Sequence, residues 1–331
     1  MAVVAAGFGN NKQAERWQFR QIEHEVDRDE LFLHRVELFT KRNLTFPGDA
    51  LKAFAGAAAA LFPFHFGLPK HLFTAAMNWT FRLRSRMGAR NNAFPSWSWA
   101  GWTFGETGVV GGEWFMPRSA VHYPGSSPDY VIKWYEVDFT GQLHLVNDDS
   151  FALSRYDEHD APLLADHRNP VYESPPLHPL EANSTVLRLP NLKHILHFWS
   201  IGAYLAVSRQ PEPREHPLWK QLSLAEPIDS YRIHAPDAEH KLLGQVALDR
   251  AWRAQQPNLL YFFVVSRSSG TMGGKSAALN AMLVEFDDAG IAYRVQAAVL
   301  SAGGHPSNGS STETHSMWLD ARPAWKLISL A

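Results

Sequence analysis

The most specific stretch of this sequence reads Ala93-Phe94-Pro95-Ser96-Trp97-Ser98-Trp99-Ala100-Gly101-Trp102, and we call it the Trp block. Three of the chain's twelve tryptophans lie within it. Read as a β-strand, the block places Trp97 and Trp99 on one face and Ser96 and Ser98 on the other, because successive side chains of a strand alternate. The pattern therefore predicts an aromatic seam.

The residues near the two ends of the Trp block are compatible with a strand that begins at Pro95 and bends at Gly101. Pro95 is tolerated as the first residue of a strand, because it has no N–H to donate to the ladder. Gly101 permits a β-bulge or a close approach of another backbone, which would re-aim Trp102. We expect the block to lie at the junction between two differently built parts of the chain.

The part before the Trp block carries helical patterns. Leu31–Lys41 shows apolar residues at helical spacing. Pro47 suits the first turn of a second helix, which Pro63 would end. A third helix is predicted over Pro69–Arg82, with its apolar side chains on one face.

The part after the Trp block carries strand patterns separated by turn residues. The spacing predicts an α+β fold, in which a small helical N-terminal part packs on a β-rich, mostly antiparallel C-terminal unit. We divide the chain into a poorly ordered segment (1–30), a helical part with the Trp block (31–105) and a β-rich domain (106–331). The predicted strands are Tyr130–Val137, Leu143–Val146, Thr185–Leu189, His194–Trp199, Ala203–Ser208, Gly244–Leu248, Leu259–Ser266, Ala281–Phe286 and Ile291–Leu300.

Composition excludes several classes of function. The 331 residues carry 31 Lys and Arg against 33 Asp and Glu, a net charge of −2, which argues against a nucleic-acid partner. The absence of Cys excludes disulfides, Cys-ligated zinc, iron–sulfur clusters and cysteine nucleophiles. The apolar run around Ala53–Phe64 is too short to span a bilayer, and the N-terminus lacks a basic start typical of a signal peptide. We expect a cytoplasmic protein with no membrane partner.

Motifs that suggest catalysis or ligand binding are better explained by simpler structures. Ser269–Ser276 resembles a phosphate loop, but it has Ser where the pattern requires the first Gly, so a hairpin loop is favoured. His194 and His197 would point to opposite faces of a strand, which disfavours a shared metal ion. Asp157–His167 is typical of a solvated loop, and the four arginines of Arg82–Arg90 are typical of a helix end, although they could hold an anion. No catalytic set assembles, so we expect no metal and no cofactor, and we favour a protein that is not an enzyme.

The three tryptophans of the block allow two interpretations. Trp97, Trp99 and Trp102 could form a stacking platform for a glycan or another small ligand, because aromatic faces suit such contacts. They could instead form a buried seam, which is favoured because large aromatic side chains dominate the energetics of cores.

The Trp block resembles the Pro-Ser-Trp-Ser-Trp-Ala block near the end of the fungal heterokaryon-incompatibility (HET) domain, which often continues Gly-Trp as here. Three further segments agree with the family in the same order. They are Arg42–Leu51 with Ala53–Gly56, Phe66–Pro69 with Phe73 and Trp79, and Trp318 with Pro323–Ile328. The resemblance covers about residues 31–105 and the end of the chain, so segment 31–105 looks like the C-terminal part of a HET-like domain.

The N-terminal blocks of that family are missing from this sequence, and Arg16-Trp17 is only weakly similar to one of them. The chain thus looks like the rear part of a HET protein, from a truncated gene or a shortened relative. The resemblance implies a non-catalytic fungal protein that acts through protein partners in non-self recognition and incompatibility-type cell death. It also leaves open an accessory protein of a secondary-metabolite gene cluster. A glycan-binding module that uses Trp97, Trp99 and Trp102 is a further alternative.

Overall fold

The computed structural model describes about half of the chain. The described residues are 31–32, 35–36, 39–40, 42, 44–58, 63–81, 89–103, 114–115, 132–138, 140–146, 194–212, 228–236, 238–268, 278–301 and 317–331. Several predictions lie outside them, namely the segment 1–30, most of Arg82–Arg90, the loop Asp157–His167, the strand Thr185–Leu189 and the loop Ser269–Ser276.

The segments before the Trp block are short helices and two-residue strands. Residues 31–32, 35–36 and 39–40 are helical, as predicted. A 3-10 turn at Pro47–Asp49 leads into helix α1 (Ala50–Ala58), which buries Phe54 completely. Strands β1 (Phe64–His65) and β2 (Leu68–Pro69) then form a hairpin.

The prediction of a third helix over Pro69–Arg82 is wrong for the second half of that range. A 3-10 turn at Lys70–Leu72 leads into helix α2 (Phe73–Ala76), and the chain then turns into strand β3 (Thr80–Phe81). The helix stops there because the carbonyls of Met77 and Trp79 accept hydrogen bonds from the guanidinium of Arg294. Strand β3 pairs instead with β6, Trp114–Phe115.

The predicted strand through the Trp block is also wrong, because the block is a series of tight turns. The Ser98 and Gly101 N–H groups donate to the carbonyls of Pro95 and Ser98, respectively. A 3-10 turn follows at Trp99–Gly101, and the Ser98 side chain caps it by accepting from the Ala100 N–H at 3.0 Å. Only strand β5 (Trp102–Thr103) is extended, and it pairs with β4, Ala89–Arg90.

A large sheet makes up the rest of the described structure. Most predicted strands are confirmed, but His194–Trp199 and Ala203–Ser208 merge into one long strand. Two strands of this sheet, Ile228–Ala235 and Ala324–Leu330, are not among the predicted ones. The strands are β7 (Tyr135–Val137), β8 (Leu143–Leu145), β9 (Leu196–Val207), β10 (Ile228–Ala235), β11 (Ala238–Asp249), β12 (Leu259–Ser268), β13 (Ala278–Phe286), β14 (Ala292–Leu300) and β15 (Ala324–Leu330), with helix α3 (Arg250–Gln255) after β11.

The sheet closes on itself. Its hydrogen-bonded order runs β10, β11, β14, β13, β12 and β9, and β10 pairs back to β9. All of these pairs are antiparallel, whereas β15 joins β9 antiparallel and β14 through one parallel pair. The fold is therefore α+β, with a small helical N-terminal part and a β-rich, mostly antiparallel unit, as predicted.

Two hydrophobic cores lie on the two faces of this closed sheet. The inner core is the enclosed face, where all six strands of the closed circuit contribute apolar residues such as Leu205, Phe262 and Leu283. The outer core lies between the outer face and the N-terminal segments, and it contains the Trp block. Among the residues that the structure covers, no helix has the length and apolar character needed to cross a membrane.

Candidate functional site

The three indoles of the Trp block are buried, and each donates its N–H to a backbone carbonyl. Their exposed fractions are 0% for Trp97, 3% for Trp99 and 9% for Trp102. Trp97 donates to the His194 carbonyl at 3.2 Å, and Trp99 donates to that of Gly67 at 2.8 Å. Trp102 folds back on its own block and donates to the Ser96 carbonyl at 2.8 Å. Burial favours the packing interpretation, since no wide aromatic face at these positions is open to a glycan.

The rings of the Trp block connect the N-terminal segments to each other. Trp99 lies edge-on to Phe54 of α1, with ring centroids 5.0 Å apart, and to Phe39 at 5.7 Å. Trp97 contacts Phe73 of α2 at 5.8 Å. Edge-to-face pairs of this kind add about 1 kcal/mol each beyond the area that they bury. The block is thus the common neighbour of segments that are far apart in sequence.

The two serines of the block bind backbone atoms of other segments. The Ser98 hydroxyl donates to the Phe66 carbonyl at 2.6 Å, which fixes the turn of the β1–β2 hairpin. The Ser96 hydroxyl donates to the Ala331 carbonyl and accepts the Arg294 N–H at 2.9 Å, so it joins the block to β14 and to the end of β15. Both hydroxyls are buried and have hydrogen-bond partners. The two serines therefore make directional contacts and do not only fill space in the core.

Gly101 has a steric role at the block. A Cβ at Gly101 would collide with the Pro95 carbonyl, so this position admits only glycine without a backbone shift. The Arg90 Nη1 also approaches here, and it donates to the Gly101 carbonyl at 2.5 Å. The close backbone approach predicted at Gly101 is present, although it closes a turn and does not form a bulge.

Arg294 on β14 is the principal residue that the sequence analysis missed. Its side chain is 2% exposed, and its guanidinium lies 3.7 Å from the centroid of the Trp79 ring. It donates to the Met77 and Trp79 carbonyls, while Nε has no hydrogen-bond partner among the described residues. Burial lowers the pKa of Arg294 well below its usual value. The one available signal was an arginine within a mostly apolar strand.

A second polar group, the His65–Glu136–His194 cluster, lies beside Trp97. The Nδ1 atom of His194 and the Oε1 atom of Glu136 are 3.1 Å apart and share a hydrogen bond. The Nε2 atom of His65 lies 3.3 Å from Oε2 of the same carboxylate but is not aligned for a hydrogen bond. The His65 ring stacks on Trp97, with centroids 5.6 Å apart. The cluster is therefore part of the junction.

The surroundings of this cluster shift the pKa values of its members. Burial lowers the pKa of His65 to about 4, although the charge of Glu136 opposes the shift. Burial opposes ionisation of Glu136, but the hydrogen bond with His194 and the nearby histidines and Lys70 hold its pKa below the usual value. A carboxylate ionised between imidazoles suits an electrostatic role in the junction.

Two residues of this region adopt backbone angles that are unusual for side chains other than glycine. Phe66 has φ 48° and His194 has φ 69°, and their rings touch with centroids 4.2 Å apart. Such conformations cost about 1 to 3 kcal/mol each and persist only where neighbouring contacts impose them. The hydrogen bonds from Ser98 to Phe66 and from Trp97 to His194 are contacts of that kind.

His194 and His197 do not share a site. His194 lies in a turn before β9, whereas His197 is buried in β9 and its Nδ1 lies 2.9 Å from the Ser329 hydroxyl. The prediction that both stand on one strand is wrong for His194, because its positive φ takes it out of the ladder. Within the described ranges, no three His, Asp or Glu side chains are placed to hold a metal ion.

No protein-family model, curated protein or solved structure matches this chain.

Proposed function

We propose that this chain is a non-catalytic, HET-like fungal protein that acts through protein contacts in non-self recognition and incompatibility-type cell death. The observation that carries the proposal is that three of the four sequence segments that resemble the family meet in the outer core, together with Ile328 of the fourth segment. When segments that resemble one family pack against each other, we expect them to stabilise one common structural feature of that family.

Counted along the chain, the first two family-like segments contact the third, which is the Trp block. Phe54, from the first segment, contacts Trp99, and the Trp79 indole, from the second, donates to the Trp97 carbonyl at 2.8 Å. Gly67 accepts from Trp99 as described above. The fourth segment supplies Ile328 to the same buried cluster, while Trp318 lies in the inner core on the other face of the sheet.

The chemistry of the converging residues supports contact rather than catalysis. Their side chains are occupied in packing and in hydrogen bonds to backbone carbonyls, and the guanidinium of Arg294 is buried. Groups held in this way fix a scaffold, and the exposed surface of that scaffold is then the part that is available to partners.

Expression of the whole chain in a fungal host tests this proposal. We expect growth arrest or cell death comparable with that caused by a full-length relative expressed at the same level. Trp99→Ala should abolish the effect by unfolding the junction, while the exposed control Lys52→Ala should retain it. Unimpaired growth with folded, abundant wild-type protein would contradict the proposal.

A further inference from the structure

An exposed apolar patch lies on the outer face of the closed sheet. Tyr204 on β9 is 52% exposed and Leu259 on β12 is 44% exposed. The register pairs Tyr204 with Tyr261 and Ala206 with Leu259, so Tyr204 and Leu259 are diagonal neighbours on one face. Side chains in this relation lie about 7 to 8 Å apart at Cα and can form one continuous surface.

The floor beneath this patch is fixed by aromatic contacts. The Tyr204 ring lies edge-on to Tyr261 at 5.2 Å, and Tyr261 lies edge-on to Phe286 at 5.3 Å. Gly202 makes room for Tyr261, because a Cβ there would collide with the Tyr261 hydroxyl. A large exposed side chain on a rigid floor loses little conformational entropy on binding, which suits a protein contact.

One cation, Lys326, contacts the aromatic floor of the patch, and a second, Arg209, lies beside Asn258, the residue before Leu259. The Lys326 ammonium lies 4.0 Å from the centroid of Phe286 and 4.7 Å from that of Tyr261. Arg209, two residues after β9, donates to Asn258 Oδ1 at 2.5 Å and to the Ala254 carbonyl at 3.4 Å. Neither forms an ion pair with a described carboxylate, and burial lowers the pKa of Lys326. A carboxylate supplied from outside would compensate both charges.

We propose that Tyr204, Leu259, Lys326 and Arg209, here called the Tyr204 patch, bind a protein segment that carries a large apolar side chain flanked by Asp or Glu. Apolar contact at the centre supplies affinity, and the two cations select an acidic partner. The proposal rests on the proposed contact function and defines the chemistry of the partner. RNA is the less favoured polyanion, because the chain has a net charge of −2.

Short labelled peptides test the patch directly in fluorescence anisotropy with the whole chain. One set places a single Leu, Phe or Trp among Asp, Glu and Ser, and the matched set carries Lys in place of the acids. We expect binding of the acidic set only. Tyr204→Ser, and separately the double variant Lys326→Glu with Arg209→Glu, should weaken it about tenfold, while the exposed control Lys133→Glu should not. Equal binding of both sets, no binding, insensitivity to the variants, or preferred binding of oligouridine would overturn the proposal.

The same variants separate this proposal from the proposed function. In the fungal host, we expect the double charge reversal to abolish growth arrest while the variant stays folded, as shown by a cooperative thermal transition. If the double variant still arrests growth, the Tyr204 patch is wrong and the contact function stands. If the wild-type chain itself has no effect, the proposed function fails, while peptide binding in vitro still decides whether the patch binds acidic segments.

Discussion

The two cores of this protein are built in different ways. The inner core, enclosed by the sheet, is formed mainly by apolar side chains that alternate along each strand, such as Phe262 and Leu283. The outer core contains indole N–H groups that donate to carbonyls, and it has the buried Arg294 and the partly buried His65 at its edge. One core is specified by periodicity, and the other by directional contacts between distant segments.

This difference indicates which core tolerates change. Apolar cores accept exchanges between side chains of similar volume at a cost of under about 1.5 kcal/mol. A buried polar network does not, because removal of one partner leaves the other unsatisfied, at a cost of about 1 to 3 kcal/mol. We therefore expect the outer core to respond to substitutions, pH and backbone geometry in ways that the inner core does not.

Truncation of Trp99 should have the largest effect. Trp99→Ala removes the contacts with Phe54 and Phe39 and leaves the Gly67 carbonyl unsatisfied, so we expect a loss of about 4 kcal/mol in the free energy of unfolding. Urea denaturation measures this loss. Leu283→Met, in the inner core, is the volume-conserving comparison and should cost less than about 1.5 kcal/mol. If both variants cost the same small amount, the outer core does not depend on its tryptophan.

Acid should weaken the outer core next most strongly. Burial lowers the pKa of His65, at the edge of the outer core, to about 4 in the folded protein, compared with about 6.5 when unfolded. Burial lowers the pKa of His197 to about 4 as well, but His197 alternates with Leu196 and Phe198 of the outer core and therefore stands on the other face of β9. The unfolded chain binds protons first, so stability falls as pH drops from about 6.5 to 4, by at most about 3 kcal/mol for each imidazole. The lowered pKa of Glu136 acts in the same direction at still lower pH.

Urea denaturation between pH 7.5 and pH 4.5 checks this dependence. His65→Gln and His197→Gln should each flatten the curve over that interval, because neither variant can take up the proton. An unfolding free energy of the wild type that stays constant from pH 7 to pH 5 would show that these imidazoles are not buried in neutral form.

The hairpin at Gly67 gives a smaller effect with a matched control. Gly67 has φ 82°, and a Cβ there would lie 2.5 Å from the Trp99 Nε1 atom, whereas Gly290 has φ 78° with open space around it. Both Gly→Ala variants incur backbone strain of about 1 kcal/mol. We expect Gly67→Ala to lower the free energy of unfolding by about 2 kcal/mol more than Gly290→Ala does, because the hairpin and Trp99 must move apart. Equal losses in thermal denaturation would show that this contact is loose.

The inner core could be predicted from the sequence because its signal is local. The runs Leu259–Ser266, Ala281–Phe286 and Ile291–Leu300 fall within or closely match β12, β13 and β14. Strand β10 was missed because polar residues such as Asp229 and Arg232 interrupt its apolar positions. The sequence also carries no local sign that β10 returns to β9 and closes the sheet.

The outer core could be predicted only in outline. The residue types at the Trp block indicated a seam, but its turns depend on the Ser98 cap and on the lack of a Cβ at Gly101. The end of α2 depends on Arg294, more than two hundred residues later, whose hydrogen bonds reach the Met77 and Trp79 carbonyls. Contacts between segments so distant in the chain leave no periodic pattern in either one.

Native-state hydrogen exchange at the Trp99 indole N–H tests the central claim most directly, namely that the Trp block joins the N-terminal segments and the closed sheet into one cooperative unit. The reference is the backbone amide of Phe262, in the middle of β12. We expect both protons to exchange only through global unfolding, with the same opening free energy. An indole proton that exchanges orders of magnitude faster than the Phe262 amide would show that the Trp block opens by itself, and it would contradict the account.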